Sequence, residues 1–518
     1  MLPVLAVAMP LGFAILAPWL GRSVWLLYAL AGMVLIGAGL MPGGTTALPG
    51  LVLGMTLAAD PALGPILAGS GAVWAAAALH ARGSMSDGPG ARVFACLFGL
   101  AMAGNALLMV AEDMVSFYVG YSVMSLSAWG LIAHKRDAAS SFAAQVYLGF
   151  AVAGELSLFA ALMLIDANQD SLLTPRALAS APPELAVWFA IAAFGVKAGL
   201  VPLHVWLPLA HPAAPVPASA ALSGAMLKAG IVGALKLAPP SVFAPAVETT
   251  PGEEGAVAAV EAASSIVLLG ETLVVLGVFG AFVAALYGAL TGDRKTVLAY
   301  SSVSQLSLAL ALLGAGYAGY ADPTHVMGAL ALFALHHALA KGALFLCVDS
   351  GLPRALAITA FLVPALALTG MPLTLGEISK DAFETALGAG DAAPVDLVTL
   401  FSAAAFATAA AMARAASLPW PTTGARDPWR GVAVLGLAVA CVVAAWPFAA
   451  MPALTTLPKI LAPSLVLLAG AALLARFPTR GAAPAGDLLT LVPGMRAPAP
   501  ERHHPPVATA PETPDHQT

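Results

Sequence analysis

Residues 186–235 read AVWFAIAAFGVKAGLVPLHVWLPLAHPAAPVPASAALSGAMLKAGIVGAL, and this stretch decides the fold. A lysine, Lys197, stands in the middle of an apolar run. Placing such a charge at bilayer depth costs roughly 2.5–3.5 kcal/mol on insertion scales, so it faces a partner or a hydrated cavity. Lys197, His204, His211 and Lys228 then follow one another, interleaved with Pro202, Pro208, Pro212, Pro215 and Pro217. Prolines at this density interrupt a helix, and the freed carbonyls need water or buried partners. Titratable groups beside a broken membrane helix are what an ion path requires.

The rest of the chain agrees with a membrane setting. Of 518 residues, 60% are hydrophobic and only 9% charged, against about 25% charge in a soluble protein. Apolar runs of roughly 20 residues recur, which is the signature of membrane helices and not of a barrel. The expected class is therefore an all-α polytopic membrane protein lying in the lipid bilayer. About fifteen spans are expected, near 2–20, 23–40, 62–80, 92–111, 114–133, 142–165, 185–207, 217–238, 265–290, 295–318, 326–348, 355–390 (interrupted), 396–413, 431–451 and 459–476. Spans seven and twelve are expected to be discontinuous. Residues 43–60 read as an extended stretch outside the membrane. The first run, from Met1 to Leu20, has no basic leader region and reads as a retained span.

Loop charge alternates along this count. Loops after odd-numbered spans carry Arg22, Arg82 and Arg92, Lys135 and Arg136, Arg294 and Lys295, Arg354, then Arg414, Arg426 and Arg430. Loops after even-numbered spans carry Asp166, Asp170 and Glu184, then Glu248, Glu253, Glu254 and Glu261, Asp322, Asp391 and Asp396. Arg176 and Lys459 are minor exceptions. By the positive-inside rule the N-terminus lies outside and the C-terminus in the cytoplasm, which suits a cell inner membrane. Residues 479–518 are rich in Pro, Ala and Thr and read as a disordered cytoplasmic tail, with His503 and His504 solvated in it. The organisation expected is three N-terminal spans over 1–90, one unit over 91–238, a second over 265–414, two further spans over 431–478, and the tail. Lys197 and Lys380 stand in the interrupted spans seven and twelve. Five spans apart is an odd number, so two such five-helix units would be inverted repeats.

Other buried polar groups are candidates for chemistry. Glu155 stands among apolar neighbours in YLGFAVAGELSLFAALMLI. It is either a neutralised or locally satisfied carboxylate, or a proton site and lysine partner. His337 and Lys341 are four apart in LFALHHALAKGALFL and share a helix face, which suggests a proton relay. Tyr300, Ser301, Ser302, Ser304 and Gln305 either hold a water chain or bridge helices. Cys96, Cys347 and Cys441 are isolated, no CxxC occurs, and no metal site or cofactor is expected. GAGYAG at 314–319 follows no strand and is no dinucleotide loop; a P-loop is absent, so this chain alone does not drive a pump with ATP. Nothing suggests nucleic acid.

Four segments carry a resemblance: FGVKAGLVPLHVWLPLAHPAAPVPASAALSGAMLKAG at 194–230, GDRKTVLAYSSVSQ at 292–305, HHALAKGALFL at 336–346 and GMPLTLGEISKD at 370–381. Over roughly 90–415 the chain resembles the antiporter-like, proton-conducting membrane subunits of NADH–quinone oxidoreductases, Mrp-type cation/proton antiporters and membrane-bound hydrogenases. The resemblance implies fourteen core helices in two inverted five-helix units, with a hydrated polar axis at the midplane. It implies that Lys197 is the lysine of the first half-channel, that Lys228 and His337 are connecting groups, and that Lys380 is the distal lysine. One position departs. Family members carry a glutamate in the fifth span, in a pattern like GWELMSLSSY; here the stretch is GYSVMSLSAW and Ser122 takes that place. Glu155 then replaces it, or the chain conducts without that charge pair, or pumping is lost.

The function expected is a proton or sodium/proton translocating subunit of a larger membrane complex, with other membrane subunits and peripheral redox or zinc-binding subunits as partners. The alternatives are the membrane half of an energy-coupled inorganic-carbon transporter beside a zinc protein, and a membrane anchor that does not pump. No redox site is expected in the chain itself, so its enzymatic share is at most ion translocation.

Overall fold

The computed structural model describes residues 1–41, 43–168, 183–242, 255–391, 393–420, 426–446 and 470, and their side chains apart from 168 and 255–263. Span fifteen apart from residue 470, the tail, His503 and His504 lie outside them. The chain is helical almost throughout: α1 Leu2–Leu20, α2 Val24–Leu40, α3 Gly64–Ser84, α4 Pro89–Val110, α5 Met114–Ile132, α6 Ala138–Asn168, α7 Glu184–Ala198, α8 Trp206–Ala213, α9 Val216–Ala221, α10 Lys228–Leu237, α11 Gly255–Leu290, α12 Arg294–Tyr317, α13 Pro323–Leu346, α14 Arg354–Leu368, α15 Leu375–Gly388, α16 Leu397–Ser417 and α17 Pro428–Val443. The all-α polytopic class holds.

By length and apolar composition, ten helical stretches among the described residues can cross a membrane. The difference from about fifteen has plain causes. Residues 2–40 count as one stretch although Gly21, at φ +53°, turns α1 back against α2. The segments around α7 and α8, around α14 and α15, and α17 are each too short by themselves. The fifteenth span, apart from residue 470, is not among the described residues.

Helices meet where small residues let backbones touch, the usual means of association in lipid. A Cβ on Gly32 would lie 2.7 Å from the Gly71 carbonyl and one on Gly71 2.6 Å from the Gly32 carbonyl, so α2 and α3 cross there without room for a methyl. Gly270 and Gly314 lock α11 to α12 in the same reciprocal way. The centre of the molecule is α12, buried along its whole length. The apolar residues Leu156, Phe159, Val275, Phe279 and Leu286 of α6 and α11 face outward instead, as lipid-facing surfaces do.

Residues 43–60 are more ordered than the sequence reading expects. Thr46–Leu48 and Met55–Leu57 pair antiparallel as β1 and β2. The second strand is buried against the α4–α5 turn, where Thr56 N–H donates to Asp113 at 2.9 Å and Glu112 N–H to the Thr56 carbonyl at 2.9 Å. Burial of the Glu112 carboxyl pushes its pKa up, and Lys236 at 3.7 Å opposes this.

Among the described residues aspartates cap six α-helices by accepting from first-turn N–H groups: Asp113 for α5, Asp137 for α6, Asp293 for α12, Asp322 for α13, Asp396 for α16 and Asp427 for α17. Several "loop" acids are thus helix caps. Asp113 also holds the hairpin, so Asp113→Ala is expected to lose about 1–2 kcal/mol of stability. A thermal-unfolding midpoint in detergent equal to the parent's would contradict this.

The basic loop residues Arg294, Lys295 and Arg414 are buried. Arg294 donates to the carbonyls of Ala415 at 2.9 Å and Leu418 at 2.6 Å, and Arg414 to Thr291 at 2.9 Å. Basic groups at helix C-termini satisfy the last carbonyls and suit the helix dipole.

Candidate functional site

α7 stops at Ala198 because Gly199 takes a left-handed conformation at φ +77° and Leu200 N–H returns to the Gly195 carbonyl. The Trp206 indole donates to the Val196 carbonyl at 3.0 Å. Lys197 is therefore presented in the last turn, 3% exposed. Its ammonium donates to Ser125 Oγ at 2.7 Å and Tyr147 Oη at 3.3 Å, and lies 5.1 Å from the Tyr121 ring centroid and 5.7 Å from that of Tyr147. Both hydroxyls spend their own protons elsewhere: Ser125 donates to the Tyr121 carbonyl at 2.9 Å and Tyr147 to the Ser125 carbonyl at 3.1 Å. They can only present lone pairs to Nζ. The Tyr121 ring adds to the preference for a cation.

Glu155 reaches the same place from α6. It is half-buried, within electrostatic reach of Lys197 and beside the hydroxyls of Ser122 and Ser125. Among the described residues, Glu155 Oε1 and Ser122 Oγ are both buried without a hydrogen-bond partner. A carboxylate oxygen and a hydroxyl left open side by side make a place for a proton or a water.

A second cluster lies where α9 gives way to α10. A π turn over Leu222–Met226 separates them; such turns recur at functional sites. Lys228 donates to the Ser223 carbonyl at 2.7 Å and meets His337 Nδ1 at 2.6 Å. Either the ammonium donates to a neutral imidazole or Nδ1–H donates to a neutral amine, and moving one proton interconverts the two. His337 Nε2 and His336 Nδ1 have no hydrogen-bond partner among the described residues. Lys341 bonds the Leu298 carbonyl at 3.2 Å and Ser301 Oγ. Lys228, His336, His337 and Lys341 are all buried; Lys228 feels the charge of Lys341, and the two histidines feel the charges of both lysines. Each proton added therefore raises the cost of the next, which lets a proton be passed on rather than trapped.

A cavity of about 60 Å³, large enough for a few waters, joins His336 and Gln305 to Ser379, Lys380 and Glu384. Here the structure departs from the expected buried midplane lysine. The Lys380 side chain is 43% exposed and pairs with Glu384 at 3.6 Å. The cause is local: α15 carries Glu377, Lys380, Asp381 and Glu384 on one amphipathic helix, and Lys380 stands at the mouth of the cavity.

The remaining candidates are spread along α12. Tyr300 packs against Tyr287 at a tilt of 46°, centroids 4.9 Å apart, and stands 6.4 Å from the ring of His204 at the break after α7. Gln305 bridges to Thr408 at 2.9 Å and Ser302 to Ser223 at 2.9 Å, while Ser304 Oγ has no hydrogen-bond partner among the described residues. Sequence reasoning missed the Tyr121, Ser125 and Tyr147 cage; the three-residue spacing of Ser122 and Ser125 was the one hint. It also took Lys295 for a loop charge, whereas Lys295 is buried, donating to the Ala214 carbonyl at 2.6 Å and Ser219 at 3.1 Å. Among the described residues no three His, Cys, Asp or Glu side chains gather as a metal site requires.

Comparison with known proteins gives consistent results. The family model described as NADH:quinone oxidoreductase/Mrp antiporter, TM, matches residues 111–250 and 256–408. Hydrogenase-4 component B of Escherichia coli is 35% identical over 270 residues, covering 50% of this chain and 37% of its own length. Na(+)/H(+) antiporter subunit A1 of Staphylococcus epidermidis is 27% identical, covering 59% of this chain and 39% of its own. The chain thus spans about two fifths of these curated relatives. A chain in the structure of the Mrp complex from Dietzia sp. DQ12-45-1b superposes with a TM-score of 0.73 at 21% identity, over 95% of this chain and 59% of that one, which shows a shared fold.

Proposed function

This chain belongs to the NADH:quinone oxidoreductase/Mrp antiporter transmembrane family, and we propose that it translocates protons as one membrane subunit of a larger complex. The observation that carries this reading is the Lys228–His337 contact of 2.6 Å, a buried proton-sharing pair flanked by Lys341 and His336. A buried positive charge shared between two bases, with no acid beside it, costs stability and is retained for function. In this reading Glu155, Ser122 and Lys197 form one half of the path. Lys228, His337, Lys341 and His336 form its centre, with Tyr300, Ser301, Ser304, Gln305 and His204 lining it. Lys380 and Glu384 form the far mouth. In this reading the helix breaks after Lys197 and before Lys380 belong to two units of inverted topology. Other membrane subunits cover the outward apolar faces, and a redox or cation-exchanging partner supplies the energy.

The native complex tests this. Isolated through a tag on this chain and sealed in vesicles, it is expected to bring further membrane subunits and to change lumenal pH when energised. A chain that migrates alone, or a complex that moves no ions, would favour a membrane anchor. Topology is tested separately, with the native cysteines replaced. Ser86→Cys is expected to be hidden from an impermeant maleimide in intact cells and Thr45→Cys to be labelled. The reverse pattern would invert the orientation.

A further inference from the structure

The ends of α1, α2, α3 and α4 meet at one face around a cleft of about 350 Å³. Its wall includes Arg22, Trp25, Asp87 and Arg92, with Ala91 and Ala95 as a shallow floor. Arg22 is exposed and fixed in place: it donates to the Arg82 carbonyl at 2.6 Å, and Arg82 returns a bond to the Arg22 carbonyl at 3.0 Å. Arg92 is exposed, and among the described residues nothing accepts from it or pairs with it. Asp87 offsets one of the two charges but binds neither arginine. No side chain caps α4 at Gly88, and Pro89 has no N–H, so the amides of Gly90 and Ala91 are the first-turn donors without a capping side chain, at the positive end of the helix dipole. At the same end of these helices Ile15, Leu16 and Trp19 of α1 and Val93 of α4 are exposed, Trp19 at 77%, on surfaces other than the cleft wall. Across the first turn of α4 a second cleft of about 280 Å³ is lined by His134 and Arg136.

We infer that the Arg22–Arg92 cleft binds the phosphate headgroup of an anionic phospholipid, whose acyl chains lie along the exposed apolar surface of α1 and α4. Two arginines at the end of membrane spans offer forked donors to a phosphate. Basic pockets between membrane helices on the positively charged face are suited to acidic headgroups. The exposed apolar side chains at this end of α1 and α4, Trp19 among them, suit acyl chains that reach past the cleft, and so favour a lipid over a soluble anion. The role is separate from ion translocation: it fixes the depth and tilt of α1–α4, which carry none of the buried lysines.

Native mass spectrometry of the intact complex titrated with phosphatidylglycerol and with phosphatidylcholine of the same acyl chains tests this. The parent is expected to retain phosphatidylglycerol preferentially. Arg22→Gln/Arg92→Gln is expected to lower its retention roughly 30-fold, the attraction that two basic residues supply, with phosphatidylcholine unchanged. Arg92→Gln alone, which breaks no internal bond, is expected to lower it roughly fivefold. Equal retention of the two lipids by the parent, unchanged retention by both variants, or a parallel loss of both lipids would overturn the proposal. So would complete displacement of the lipid by millimolar inorganic phosphate, which would make the site one for a free anion.

Discussion

Complexes carrying Lys197→Ala are expected to move protons on the order of 100-fold more slowly than the parent, the usual contribution of one positioned proton-transfer group. Lys197 is the only group at the end of α7 that can gather Ser125, Tyr147 and the field of Glu155 at one point. Alanine leaves the lone pairs of Ser125 and Tyr147 without their donor and Glu155 without its counter-charge. The α7 terminus survives, because Gly199, Leu200 and Trp206 define it through the backbone. The variant is therefore expected to assemble to parental amounts, and Lys197→Arg, which keeps charge but not proton exchange, to be slow as well. Parental rates in the alanine variant would remove Lys197 from the path.

Glu155→Gln is expected to slow proton movement to a similar extent, with the double variant Glu155→Gln/Lys197→Ala little slower than either alone. Residues acting on one proton couple by about 0.5–3 kcal/mol, whereas independent sites multiply. The geometry gives the reason: Glu155 Oε1 and Ser122 Oγ are open to each other beside Lys197, and the half-buried carboxylate comes from α6 where α5 offers a hydroxyl. Ser122→Glu is accordingly expected to restore much of the rate to Glu155→Gln, since it returns a carboxylate to the same recess from the neighbouring helix. Multiplicative losses, or no rescue, would mean that Glu155 serves the outer surface of α6 and not Lys197.

The helical membrane class was legible because apolar runs leave no other way to satisfy the backbone in lipid. Lys197, Lys228, His337 and Lys341 were legible for the same reason: a charge in such a run is conspicuous. What the sequence hides is which ordinary residues surround them. Tyr121, Ser125 and Tyr147 are common in membrane helices, and they converge on Lys197 only through the packing of α5, α6 and α7. Lys295 looks like a loop charge because it begins a helix, yet α8 and α9 fold over it. Lys380 looks buried because GMPLTLG breaks the chain before it, yet Glu384 one turn on marks the polar face of α15. The β1–β2 hairpin is invisible because its strands are three residues each and depend on Asp113 from elsewhere in the chain.

Two lysines of one helix allow the most direct measurement. Lys228 and Lys236 both belong to α10 and both are largely buried, but Lys228 meets His337 whereas Lys236 meets Glu112 and the Ala111 carbonyl at the end of the helix. Proton uptake by energised vesicles holding equal amounts of complex is to be compared for Lys228→Met and Lys236→Met. The proposed path requires uptake to collapse in Lys228→Met and to stay near the parental rate in Lys236→Met. Parental uptake in Lys228→Met, or an equal fall in both, would contradict a proton path through the Lys228–His337 pair.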